Sequence, residues 1–300
     1  MKRKTDLITT LALVVALTAS AVIPAIAQGG NTPNTKSKIL YHGGSVIAGA
    51  ANVYLIWYGC WTSGCGNNGS ADTRAVLEHF AVNIGSTPYF VINTGYPNDF
   101  GQTPSGSVLF GGIASDPNYS HGVELTEDDV RAIVTETIAR NALPADPAGM
   151  YIVLASADVG STSTGLCSAV GTPPLHGNGI SLTLVHFGFL GNPNRCPAIA
   201  GPQFTAANGS PLPTPNGDFA ADVMASDLAH LLDVIVTNPY IGGWYDRYGL
   251  ENADKCQGTF GTTYTTANGA RANVRWGGRD YLVQQNWVND KKGHCGMTLF

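Results

Sequence analysis

NGDFAADVMASDLAHLLDVIVTNPYIGGWYDRYGLENADKC, residues 216–256, carries most of what this chain says about its own fold. Asp218 stands where an N-cap stands, with a carboxylate to accept the first free N–H groups of a helix. Phe219, Val223, Leu228, Leu231, Leu232 and Ile235 follow at helical spacing with few charges between them. The segment 219–236 therefore predicts a helix buried over most of its circumference. Thr237-Asn238-Pro239 ends it, because proline does not continue a helix and pushes the residue before it out of the helical region. An aromatic and acidic loop comes next and closes on Cys256.

In outline this helix resembles the metal-binding helix of secreted zinc peptidases. There H-E-x-x-H sets two imidazoles at i and i+4 on one ion, and the Glu polarises the attacking water. Here His230 takes the first ligand position, Leu231 stands for the Glu and Val234 for the second ligand. One imidazole does not hold zinc usefully, so that route loses both its metal and its base. A metal at His230 would need distant donors such as His176 or His186. The plainer reading is a helix histidine hydrogen-bonded to Asp227 or Asp233, one turn away on either side. Asp246, Glu251 and Asp254 crowd one loop beside Trp244 and Tyr245. They offer oxygens for calcium or for a polar ligand. Their plainer reading is turn-capping carboxylates paired with Arg247 or Lys255.

Working outward, NVYLIWY (52–58) is apolar on both faces, which predicts a central strand covered on both sides. Helices are expected over 71–84, capped by Ser70, and over 126–140. In the second, Thr126 and Asp129 form a capping-box start and Val130, Ile133, Val134 and Ile138 form the buried stripe. Further buried strands are expected at 150–156 and 180–189, short hairpin or edge strands at 89–95 and 107–113, and a last extended segment at 280–288. Residues 197–215 read as a long loop. No repeat or inner domain boundary is visible. The expectation is one α/β domain of three layers, a mixed sheet flanked by helices, with a zincin-like arrangement as its specific form.

The first residues have the physics of an export signal. Lys2, Arg3 and Lys4 precede an apolar run from Leu7 to Ile23, and Ala25-Ile26-Ala27 gives a small-x-small cleavage pattern. The organisation is then a signal peptide at 1–27, a disordered lead-in at 28–40 and the domain at 41–300. Formal charge is −5 with no basic block, which argues against a nucleic-acid partner. After cleavage no membrane association is expected. Six cysteines in an exported chain predict disulfides, though the count leaves the pairing open. Proximity favours Cys60–Cys65, with Cys167–Cys196 and Cys256–Cys295 for the rest. Asn68, Asn118 and Asn208 open N-x-S sequons, which act as glycan acceptors only in a eukaryotic host.

His42-Gly43-Gly44 has the form of an oxyanion-hole loop, but no G-x-S-x-G elbow accompanies it, so a tight turn is the simpler account. Trp57, Tyr58, Trp61, Trp244, Tyr245 and Trp287 are rings that would stack on sugars if exposed, and core residues if not.

Three stretches together resemble the EXORDIUM-like, or phosphate-induced protein 1, family: YHGGSVIAGAANVYLIWYG (41–59), YIVLASADV (151–159) and PNGDFAADVM…LLDVIVTNPYIGG (215–243). The likeness covers roughly 41–300. It implies an extracellular or wall-associated protein, linked in plants to growth and cell expansion, with no established catalytic activity and no cofactor. GWYDRYGLENADKC (243–256) departs from the plant pattern. It is more similar to secreted bacterial and fungal proteins whose H-E-x-x-E or H-E-x-x-H helix precedes T-D-P, with Asn238 here in place of the Asp. The expected function is a secreted, non-catalytic protein of the cell surface or wall, or of the periplasm in a bacterium, with a wall glycan or surface protein as partner. A metal-dependent hydrolase with another ligand set, or a carbohydrate-binding protein, is the alternative.

Overall fold

The computed structural model describes residues 37–161, 175–179, 185–197 and 200–300, with backbone alone over 175–179. The signal segment, Cys167 and residues 180–184 lie outside them. Strand β1 (Gly49–Tyr58) is central, lying between β2 (Pro104–Asp116) and β3 (Gly149–Ala155) and parallel to both. Beyond β3 lies the parallel strand β5 (Val185–Leu190), and β4 (Leu175–Gly179) closes that side antiparallel to β5. The order across the five-stranded sheet is β2-β1-β3-β5-β4.

The two-sided apolarity of 52–58 accounts for its place. Successive side chains of a strand point to opposite faces. Val53, Leu55 and Trp57 enter one core with helices α1 (Ala71–Asn83) and α3 (Phe219–Thr237). Tyr54, Ile56 and Tyr58 enter another with α2 (Glu127–Ala139). Helices thus cover both faces, giving three layers and one mixed α/β fold. Each helix starts where its cap predicts. Ser70 Oγ accepts the Thr73 N–H at 3.0 Å, and Asp218 Oδ1 accepts that of Ala221 at 3.0 Å. Thr126 and Asp129 exchange bonds in a complete capping box.

Several expectations need correction. Residues 90–95 form a 3-10 turn, Phe90–Gly95, rather than a strand. Phe90, Ile92 and Asn93 are all buried, a spacing that a strand's strict alternation does not allow. Residues 107–113 do lie in an edge strand, but within the longer, parallel β2 rather than a hairpin. The segment 280–288 divides between two ribbons. Arg279–Tyr281 pairs with Val274–Trp276, and Asn286–Val288 pairs with His294–Gly296. The lead-in ends before residue 40, because Ile39–Tyr41 pairs antiparallel with Trp244–Asp246. The zincin-like form rests on the pattern of α3 alone, and the sheet adds nothing to it.

Cys60–Cys65 and Cys256–Cys295 are bonded. Cys196 is also disulfide-bonded. Among the described residues no helix is long and apolar enough to cross a membrane.

Candidate functional site

Helix α3 carries polar residues on its buried side, and each needs a partner there, since an unpaired polar group in the interior costs stability. Asp233 is fully buried and accepts the Tyr89 hydroxyl at 2.7 Å and Asn93 Nδ2 at 2.6 Å. Burial pushes its carboxyl up to about 7, against those two hydrogen bonds. Asn93 Oδ1 in turn accepts Asn252 and Asn286, both at 3.1 Å. The turn at 90–95 therefore serves to deliver Asn93 to this cluster.

His230 does not bond to Asp227 or Asp233, as its sequence neighbours suggest. Its Nε2 lies 2.9 Å from Asp254 Oδ1 and its Nδ1 lies 2.9 Å from Gln284 Nε2. Gln284 Nε2 also donates to the Ala253 carbonyl at 3.0 Å, which fixes the amide as donor. Nδ1 then accepts, and Nε2–H donates to Asp254. Burial lowers the imidazole's pKa, but the hydrogen bond and charge of Asp254 outweigh it, and the pKa is raised. A proton added at Nδ1 would face the Gln284 donor, so charging the ring requires that amide to turn over. Asp227, one turn earlier and half-buried, makes no hydrogen bond among the described residues, and burial raises its carboxyl to about 6.

The loop residues are brought together but spent on one another. Asp246 is buried and accepts Lys255 Nζ at 3.1 Å, the Ser37 hydroxyl, and the N–H groups of Tyr248 and Leu250 at 2.8 and 3.0 Å. Burial alone would raise its carboxyl, but these bonds hold it below the usual range. Glu251 accepts Asn238 Nδ2 at 2.6 Å, and Asp254 Oδ2 accepts the Glu251 N–H at 2.9 Å. Trp244 donates its indole N–H to the Pro97 carbonyl at 3.0 Å. Arg247 turns to the Tyr248 hydroxyl at 2.6 Å and pairs with no carboxylate among the described residues. His186 is buried with Nδ1 on the Gly149 carbonyl at 3.3 Å. His176 lies in β4, where only the backbone is described. Among the described residues no group of three or more His, Cys, Asp or Glu could hold a metal ion.

The glycines of His42-Gly43-Gly44 serve a backbone junction. The N–H groups of His42 and Gly44 donate to the Gly243 and Gly242 carbonyls at 2.8 and 2.7 Å. A Cβ on Gly44 would lie 2.3 Å from the Gly242 carbonyl carbon. Asn238 Oδ1 accepts the N–H groups of Gly242 and Gly243 at 2.7 and 2.5 Å, so the loop after α3 is pinned against 42–44. Ile241 at its tip has φ +53° and is exposed, a strained setting for a β-branched residue. Trp57, Tyr58, Trp61 and Trp287 are core residues, not stacking platforms. Tyr245 is half-buried and stacks on His42 with ring centroids 3.7 Å apart.

Sequence reading missed Gln284, Asn93, Asn252, Asn286 and Ser37. One signal was present: Gln284-Gln285-Asn286 interrupts an otherwise apolar extended segment, and the first and third of these amides are buried in this network.

The model of the phosphate-induced protein 1 conserved region matches residues 39–296. Among curated proteins, Protein EXORDIUM-like 5 of Arabidopsis thaliana is 28% identical over 85% of this chain and 77% of its own length. Protein EXORDIUM of the same plant is 28% identical over 76% of each. Protein PHOSPHATE-INDUCED 1 of Nicotiana tabacum is 26% identical over 73% of this chain and 72% of its own. No solved structure matches.

Proposed function

This chain belongs to the phosphate-induced protein 1 family, and from that premise we propose that it is an exported protein of the cell surface or wall that acts by binding rather than by metal-assisted hydrolysis. One observation carries the reading. Both ring nitrogens of His230 are held by protein groups, Asp254 on one side and Gln284 on the other, so the imidazole serves the fold. The loop carboxylates are used in the same way, by Lys255, Asn238 and His230. Export is supported by the bonded cysteines, which persist in oxidising compartments. The partner is a wall glycan or a surface protein.

Elemental analysis of the purified mature protein tests the first half of this reading. The expected result is no stoichiometric zinc, with or without chelator treatment, and no peptidase activity. About one zinc per chain, lost together with a hydrolytic activity in His230→Ala, would promote the metallohydrolase instead. Intact-mass analysis of the exported species tests the second half. A mature chain that begins near Gln28 is expected, and one that keeps Lys2 to Ala27 indicates an anchored protein.

A further inference from the structure

The order β2-β1-β3-β5-β4 contains a reversal. From β1 the chain crosses through α1 to β2 on one side, then returns through α2, on the opposite face, to β3 on the other side. In open α/β sheets the crevice outside the carboxyl ends of the strands, at such a reversal, is where ligands bind. That point here lies beyond Tyr58 and Ala155, which are register partners.

Loops following all four parallel strands are tied together there. After β1, Gly59 has φ +89°, and the Ser156 hydroxyl sits 2.1 Å from where its Cβ would be. The Cys60 N–H donates to that hydroxyl at 3.1 Å, which donates to Asp158 Oδ1 at 2.5 Å. After β2, the Tyr119 hydroxyl donates to Asp158 Oδ2 at 2.7 Å. After β5, Arg195 reaches the Asp158 carbonyl at 3.2 Å, and Asn194 reaches the Asn67 carbonyl at 3.3 Å. Tyr119 is a second, independent mark. Its φ is +53°, costly for a bulky side chain, and such strain collects at functional sites. Its ring and Asp158 are half-buried, while Asn67, Asn194 and Arg195 are exposed around them.

The groups present select the ligand. An anion is disfavoured. Asp116, Glu124 and Asp158 are nearby, Arg195 is committed to Glu124 at 2.6 Å, and the start of α1 carries Asp72 while Asp218 accepts the Thr73 hydroxyl at 2.6 Å. The glycine-rich stretch 59–69 therefore lacks the free positive helix end that holds a phosphate. What remains is the exposed amides of Asn67 and Asn194, the Asp158 carboxylate and the Tyr119 ring face. These suit vicinal hydroxyl groups and the apolar side of a pyranose ring.

We propose that the carboxyl-edge crevice bounded by Asn67, Tyr119, Asp158 and Asn194 binds a neutral oligosaccharide. The site deepens the surface reading given above and rests on it. Asp158 accepts from sugar hydroxyls while Tyr119 orients it and offers its ring.

Titration calorimetry with β-1,4-linked glucose, xylose and mannose oligosaccharides tests the site on the mature chain. Asp158→Asn is expected to weaken binding about tenfold or more, and Tyr119→Phe less, with thermal melting of both close to the parent's. Binding of none of the three series overturns the proposal. Binding unchanged in both variants but lost in Tyr245→Ala moves the site to the 39–41/244–246 ribbon and overturns it as well. Asp158-dependent binding of a basic peptide or inorganic phosphate, without sugar binding, overturns the ligand class. Co-sedimentation with intact wall polysaccharide separates this failure from that of the broader reading. Wild-type and Asp158→Asn sedimenting equally refutes the crevice and keeps the wall protein. Neither sedimenting refutes both.

Discussion

The polar groups behind α3 and those at the carboxyl edge of the sheet differ in what satisfies them. Behind α3, Asp233, Asn93, Asn252 and Asn286 are buried and bond to one another, and among the described residues Asn252 Oδ1 and the Trp287 indole N–H are left over there. At the edge, a small buried anchor at Ser156 supports Asp158 and Tyr119, and the remaining amide and guanidinium groups face solvent. The first arrangement specifies the fold, because a buried polar group accepts few alternative packings. The second leaves hydrogen-bonding capacity for a ligand. A motif that suggested chemistry marks the closed region, and the open region has no motif at all.

The contrast can be broken most severely at Lys255. Its ammonium is fully buried, bonded to Asp246, the Ser37 hydroxyl and the Ser37 carbonyl, and lies 4.9 Å from the Trp287 ring centre. Lys255→Met strands the Asp246 charge and should cost about 3–5 kcal/mol in denaturant unfolding. A loss under about 1 kcal/mol would mean that the region is wetter than described.

The two disulfides with both cysteines among the described residues sharpen the same comparison. Cys256–Cys295 closes a 39-residue separation next to the closed network, and Cys60–Cys65 closes a separation of 5 beside the crevice. The chain-entropy argument gives about 3–4 kcal/mol for the first and about 2 for the second. Paired Cys→Ser variants compared by melting should show that order. Non-reducing peptide mapping should recover both bonds, with none of Cys60, Cys65, Cys256 and Cys295 free. Next comes His230→Ala, which leaves Asp254 and Gln284 short of a partner and should cost about 1–3 kcal/mol. His230→Ala should leave oligosaccharide binding within twofold of the parent.

The pH dependence should also come from α3. Burial raises Asp222 and Asp227 to about 6 and Asp233 to about 7, and His230 is raised as well. Each binds its proton more tightly folded than unfolded. For the carboxyls, stability is fully present below the unfolded value of about 3.9 and is lost as pH rises through about 6–7. For His230 it is lost as pH rises through its raised value. Buried His186 is lowered and works the other way, but it is one group against four. Asp129, Asp146 and Asp246 are lowered, so their contribution fails only in stronger acid. Tm should therefore peak near about pH 4 and fall by roughly 5 °C or more by about pH 8. Asp233→Asn should flatten that fall, and an unchanged slope would remove α3 as its source.

The smallest effects concern strain. Ile241→Gly should stabilise by up to about 1 kcal/mol, because an exposed left-handed residue gives up little packing. Tyr119→Gly relieves similar strain but loses the bond to Asp158 and the ring's packing on Tyr58, and should cost about 1–2 kcal/mol net. Destabilisation by much more would make Tyr119 a structural residue and weaken the crevice as a binding site.

Local sequence determined the elements. The alternation through Val53 to Tyr58 put one strand in the middle of a covered sheet, and Ser70, Thr126 with Asp129, and Asp218 fixed where the three helices begin. These are short-range effects, of one strand's pleat or one helical turn, and a reader of the chain has every atom involved. Tertiary structure decided who meets whom. His230 bonds to groups 24 and 54 residues away rather than to the carboxylates one turn off. The segment at 90–95 gives up a strand for a turn because Asn93 must reach Asp233, 140 positions on. The edge proposed to bind a ligand exists only because the sheet order brings the ends of β1, β2, β3 and β5 side by side. Backbone conformation follows from neighbours in sequence, whereas a buried hydrogen bond or a shared edge depends on chain crossings that no local pattern records.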